Sequence, residues 1–202
     1  EMRAQADVLS GDFGFRKAVA LGDNLTIESA LDSLKARAGV PEAFVVEASG
    51  AIIGNARALS AKERRGLFQA LSNGESAGIV TVSDNPASAV VAPIQLPDLA
   101  GWLVLAEPLT KSALTSLSEL SAIPLESRIV AADRLPQNIT VTSDTSPIER
   151  SEDGERILYR ASALPSLSGS MKPVLLLRHS LSEALSEYRP LIWLLALLGV
   201  IG

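Results

Sequence analysis

Cysteine is absent from the chain, and histidine occurs once, as His179. The first absence rules out a disulfide framework, a thiolate zinc site and a thiol nucleophile. The second leaves a transition metal only carboxylates to bind, and no D-x-D-x-D loop is present to hold calcium. In "VLLLRHS" a lone histidine reads as a capping or packing residue before it reads as a catalyst. A glycine-rich phosphate loop and a G-x-S-x-G elbow are also missing. Basic residues gather no further than short groups such as Lys62–Arg65 (KERR), and 18 Lys and Arg face 23 Asp and Glu, for a net charge of −5. That argues against nucleic acid, whose phosphates need a concentrated basic face. Ser60 and Lys62 have the spacing of a Ser/Lys nucleophile pair, but Ser60 is already used in the capping box Ser60-x-x-Glu63. Asn24-Leu-Thr26 and Asn138-Ile-Thr140 match the glycosylation acceptor pattern, which matters only in a eukaryotic secretory protein. No metal, no cofactor and no enzymatic activity are expected of these 202 residues.

What the sequence does have is apolar: 47% of its residues, enough for a real core. Part of that comes from the closing run "PLIWLLALLGVIG". Nothing in Leu191–Gly202 is polar, and Tyr188, Arg189 and Trp193 stand at its start, as aromatic and cationic side chains do at a membrane–water interface. The run therefore reads as the beginning of a transmembrane helix; the other reading is a fully buried C-terminal helix. Glu1 rather than methionine stands first, so the chain is expected to be an excerpt that has lost an earlier span. The exit is prepared by a second capping box, Ser180-x-x-Glu183, with Leu181, Leu185 and Tyr188 on one helical face and Pro190 as a kink or restart. Strand, cap and stalk would thus run on mechanically into the membrane through Ser180, Glu183, Tyr188 and Pro190.

Between the ends, the hydrophobic period switches repeatedly. Residues 1–23 read as one long helix with Val8, Phe15 and Val19 inward, weakened by Gly11 and Gly14. A helix capped by Asn24 or Thr26 follows, with a stripe of Ile27, Leu31, Leu34 and Ala38, closed by Gly39 and Pro41. "AFVVEA" (43–48) and "AIIGNA" (51–56) form a hairpin, Ser60 opens a helix to Leu71, and strands follow at 78–83, 87–95 and 101–107. Short loops force those strands to pair antiparallel. Pro108 begins a helix carrying Leu109, Leu114, Leu117 and Leu120. Weaker strands are expected at 126–132, 138–143, 155–163 and 173–178, with polar loops at 143–155 and 164–172. The order is a helix and a small sheet, twice.

Several phrases resemble a known family. "VLSGDFGFRKAVALGDNLTIESALDSLKARAGV" is similar to the start of the extracytoplasmic sensor regions of bacterial transmembrane diguanylate cyclases and phosphodiesterases. The matching positions are Asp12, Phe13, Phe15, Arg16, Ala18, Val19, Gly22, Asp23, Thr26, Ile27, Ser29, Ala30 and Leu31. "VVAPIQLPDLAGWLVLAEPL" resembles the family's central strand pair, and "LLLRHSLSEALSEYRPL" its entry into the second span. The resemblance implies an α+β fold of two PAS-like (Cache) modules with antiparallel sheets, a long N-terminal helix and a C-terminal stalk leading into a transmembrane helix. The corresponding boundaries are 1–23 for the stalk helix, 24–107 for a membrane-distal module, 108–179 for a smaller proximal module and 180–202 for the exit.

It further implies a periplasmic sensor anchored in a bacterial inner membrane, regulating cytoplasmic cyclic di-GMP synthesis or breakdown. A homodimer through the Glu1–Leu21 helix and an unidentified small molecule or periplasmic partner follow from the same source. The alternatives are the sensor of a histidine kinase or chemoreceptor, and a membrane-anchored adaptor that binds protein and has no small-molecule pocket. The Tyr/Arg/Trp/Asp constellation of the amino-acid-binding branch is not found, since the two tyrosines are Tyr159 and Tyr188. Residues positioned to line a pocket between sheet and helix are Arg57, Asp84 and Trp102. The plainer roles for these are a solvated loop charge, a turn former in "SDNP" and a core aromatic.

Overall fold

The structure, a computed structural model, describes residues 1–54, 59–82, 85–119, 125–137, 139–141, 147–152, 155–167, 169 and 172–181. The chain divides into two compact units. The first comprises Glu1–Thr110 together with Leu164–Pro173, the second Lys111–Ala163 together with Val174–Gly202.

The first unit opens with two helices, α1 (Met2–Ser10) and α2 (Phe13–Leu21), where the sequence reads as one. Asp12 causes the break. Its extended backbone starts a new helix, and its carboxylate accepts from the Phe15 amide at 2.9 Å. The inward residues change with it: Ala6, Leu9, Phe15 and Ala18 are buried, while Val8 is 74% exposed. Gly22, in the left-handed region at φ 67°, stops α2. Asp23, rather than Asn24 or Thr26, then caps α3 (Asn24–Ala38) by accepting from the Thr26 amide at 3.0 Å. The expected stripe is in place, with Ile27, Leu31 and Leu34 buried and Ala38 packed beside them.

Strands β1 (Glu42–Glu47) and β2 (Ile52–Gly54) form the expected hairpin. The Ser60–Glu63 capping box is complete and opens α4 (Ala61–Ser72). Then come β3 (Ala77–Val82), β4 (Asn85–Gln95) and β5 (Leu99–Pro108). Pro108 thus ends a strand, paired with Ala87, and does not begin a helix. The five strands pair antiparallel in the order β2-β1-β5-β4-β3.

Both faces of this sheet are covered, which explains why "AFVV" and "WLVLA" are continuously apolar instead of alternating. On one face Ala43, Val45, Ala92, Leu103 and Leu105 pack with the inward residues of α1, α2 and α3. On the other, Phe44, Val46, Val91, Trp102 and Val104 pack with Leu67 and Leu71 of α4 and with Leu167. Leu167 lies in the 164–172 stretch, which reads as a polar loop in sequence. Ser166 instead bridges Ile79 in parallel, the Leu167 amide donates to the Ile79 carbonyl at 2.9 Å, and Leu167 is fully buried. Burying one leucine contributes about 1.5–3 kcal/mol.

The second unit contains α5 (Lys111–Glu119), β6 (Glu126–Ala131), a 3-10 turn (Ala132–Arg134), β7 (Ile148–Glu152), β8 (Glu155–Ala163) and β9 (Pro173–Ser180). Its sheet runs β6-β9-β8-β7, with β7–β8 and β8–β9 antiparallel. The expected strand at 138–143 is not formed in its described part, Ile139–Val141, though Ile139 is buried in the core. β7 lies instead inside the polar stretch 143–155, because pairing with β8 supplies what its sequence lacks. Across the core face lie Ile157, Tyr159, Ala161, Val174 and Leu176.

Candidate ligand-binding site

Period-two alternation decides which side chains share a face of the second sheet. On β8 it turns Ile157, Tyr159 and Ala161 into the core, and on β9 it does the same for Val174 and Leu176. Arg178 is next in that series. It stands directly opposite Tyr159 in the β8–β9 register. On β6, Glu126 and Arg128 share parity with Val130, which packs against the same core. A polar cluster therefore ends an otherwise apolar face.

The distances tie the cluster together. Arg178 Nη1 donates to Glu126 Oε2 at 3.2 Å, and Arg128 Nη2 lies 3.7 Å from Glu126 Oε1. One carboxylate therefore bridges two guanidinium groups. The Tyr159 hydroxyl, accepting from Arg178, and secondly Glu126 hold the Arg178 guanidinium above the ordinary arginine value, so it stays cationic. Tyr159 itself is 5% exposed. These four side chains, with Pro136 and Leu176, bound a cavity of about 390 Å³. That is at the small end of ligand pockets.

The first unit has a wider groove of about 530 Å³, beside the β1–β2 turn and α4. Its apolar wall is Phe68, whose ring lies against Gly50, and Arg64 and Arg65 stand exposed along it. Arg65 Nε is partly engaged, donating to the Ala61 carbonyl at 3.2 Å. Phe68 meets Trp102 edge-on, with ring centroids 5.9 Å apart and an interplanar angle of 84°.

Of the residues singled out in the sequence, Trp102 is a core aromatic, 8% exposed. Arg57 and Asp84 lie outside the described residues, as do Glu183, Tyr188 and Pro190. Ser180 is buried as the last residue of β9. The Tyr159, Arg178, Glu126 and Arg128 cluster is missing from the sequence reading. Its signal is there in "ILYRA" and "VLLLR", where inward parity carries a tyrosine and an arginine, but only the register brings them together. Among the described residues no group of carboxylates and histidine could hold a metal ion. No helix among the described residues is long and apolar enough to cross a membrane.

The sequence matches no family model and no curated protein. Solved structures do match over both units. The periplasmic domain of Vibrio cholerae LuxQ aligns with a TM-score of 0.55 at 11% identity, over 89% of this chain and 91% of that one. The ligand-binding domain of the Pseudomonas aeruginosa amino acid chemoreceptor PctB, in complex with L-Arg, aligns with 0.54 at 12% identity, over 90% and 86%. The ligand-binding domain of the Pseudomonas fluorescens chemoreceptor CtaA, in complex with L-isoleucine, gives 0.52 at 11% identity, over 92% and 93%. At such identities the likeness is one of fold: this chain has the α+β, antiparallel-sheet fold of receptor sensor domains.

Proposed function

We propose that this chain is the extracytoplasmic ligand-sensing region of a bacterial transmembrane signalling receptor, built of two Cache-like, PAS-related modules. The observation that carries the reading is the extent of the fold match, about nine-tenths of both chains, to periplasmic and ligand-binding receptor domains. A fragmentary likeness of one sheet and one helix would carry far less. The region itself is a receiver and not an enzyme. It passes a ligand-dependent bias toward the exit segment, where Ser180, Glu183, Tyr188 and Pro190 lead to the apolar run that would enter the inner membrane.

The energetic demand on such a device is modest. A ligand that binds one conformation better by about 1–3 kcal/mol biases the output 5- to 150-fold. Regulation of cyclic di-GMP synthesis or breakdown is the output favoured by the sequence resemblance at both ends of the chain. Self-association belongs to the same reading and is supported by the exposed Val8, Phe13 and Leu21 of α1 and α2.

A thermal-shift screen of residues 1–202 against amino acids, organic acids and other small metabolites tests it. At least one compound should raise the melting temperature saturably, with matching calorimetric binding. Finding none across those classes would overturn the small-molecule reading in favour of an adaptor. An alkaline phosphatase fusion after Ala163 in the full-length protein should be active, since that enzyme folds only outside the cytoplasm; an inactive but intact fusion would sink the extracytoplasmic placement.

A further inference from the structure

We infer that the cavity in the second unit is a binding site for a small monocarboxylate, held by Arg178, Arg128 and Tyr159 against an apolar wall of Leu176 and Pro136. Two guanidinium groups share one internal carboxylate there, and Glu126 is the only acidic partner of either among the described residues. One positive charge is left over at the mouth of a small cavity. A guanidinium has five donors in a planar fork that matches carboxylate geometry. Arg178 spends one on Glu126 and one on Tyr159, leaving donors for a ligand.

Charge and size narrow the class. A dianionic phosphate would overmatch a single surplus charge unless Glu126 withdrew. An amine would meet two cations. A short-chain carboxylate neutralises the site, lays its alkyl end on Leu176 and Pro136, and suits a cavity of about 390 Å³. The Tyr159 hydroxyl stands beside the Arg178 fork as a further hydrogen-bonding group for the anion. Position also matters. Arg178 lies on β9, two residues before Ser180 closes the strand that leads to the exit segment, so a ligand that draws Arg178 from Glu126 acts on the β6–β9 edge directly.

This rests on the sensor reading, so the test separates the two. Propionate, with propionamide as its neutral isostere, is titrated into the 202-residue chain by calorimetry and thermal shift. Propionate should bind and propionamide should not. Arg178→Gln should weaken propionate binding about tenfold or more, the loss of one charge-assisted hydrogen bond. Tyr159→Phe, which keeps the core packing, should weaken it several-fold, and serves if Arg178→Gln fails to fold. Glu126→Gln should strengthen binding, because it frees both guanidinium groups from their internal competitor; a merely structural cluster would show no such gain.

Equal responses to acid and amide, or no response to either, overturn the site. So does L-alanine binding more tightly than propionate and losing affinity in Glu126→Gln, since the pocket would then read a zwitterion through Glu126. If another metabolite stabilises wild type and Arg178→Gln alike while propionate does nothing, the sensor reading stands and this site falls.

Discussion

Asp12 shows how much one side chain settles. Its two oxygens serve different elements: one caps α2 through the Phe15 amide, and the other receives Arg37 of α3 at 3.0 Å. The Phe15 amide first, and the Arg37 guanidinium next, hold its carboxyl below the ordinary value. A depressed folded-state value means the stabilisation is complete above the unfolded value, near 4, and is lost as pH falls through the folded one. Asp12→Ala should therefore cost about 1 kcal/mol at neutral pH. Urea unfolding at pH 7 and again near 3 should show the gap between the two proteins narrowing in acid. Gly101 makes a different demand. It sits between β1 and β4, where an added Cβ would collide with the Val46 carbonyl oxygen and lie 2.9 Å from the Glu47 Cα. Backbone on that side cannot yield without breaking strand pairing. Gly101→Ala is expected to lose about 2–3 kcal/mol, read as a lower urea midpoint with an unchanged slope.

Among the elements, the stretch Leu164–Pro173 has the largest consequence for its size. It is spliced between β8 and β9 of the second unit yet belongs to the first. Its anchorage is backbone pairing with Ile79, a close approach of Pro165 and Leu167 to Gly78, and the buried Leu167 side chain. A Cβ at Gly78 would come within 3.0 Å of the Pro165 carbonyl oxygen, so glycine there lets the segment dock. Leu167→Ala should destabilise the first unit by about 3 kcal/mol, the usual cost of emptying a filled leucine site. Hydrogen exchange should show the loss in β3 and α4, whose Val80 and Leu71 share that core. Protection that falls uniformly across the chain would contradict the assignment.

For the whole molecule the open question is assembly. Phe13 is 83% exposed, Leu21 67% and Leu25 75%, a concentration of large apolar side chains along the first three helices. These are the side chains that the proposed self-association would cover. If self-association runs through α1 and α2, Phe13→Ser should shift the 202-residue chain toward monomer in sedimentation velocity without lowering its melting temperature. A wild type that stays monomeric at high concentration would remove the dimer from the proposed mechanism. The motif that resembles the sensor family, "DFGFRKAV…GDNLTI", bears on this too. Asp12 and Asp23 cap helices, Gly22 ends one, Phe15 fills core, and Arg16 donates to the Gln95 carbonyl at 2.7 Å. These residues keep the fold, so they announce an architecture and are silent about a ligand.

Local chemistry alone therefore determined a great deal: the α3 stripe, the hairpin, the Ser60–Glu63 box and the apolar strands of the first sheet. Caps and periodicity act within a few residues, so they are written where they operate. Tertiary structure decided the rest, because it depends on partners distant in sequence. Pairing made a strand of the polar stretch Ile148–Glu152, a neighbouring sheet buried Leu167, and the β8–β9 register set Tyr159 opposite Arg178. A binding site is a meeting of side chains from separate strands, and only the folded chain arranges the meeting.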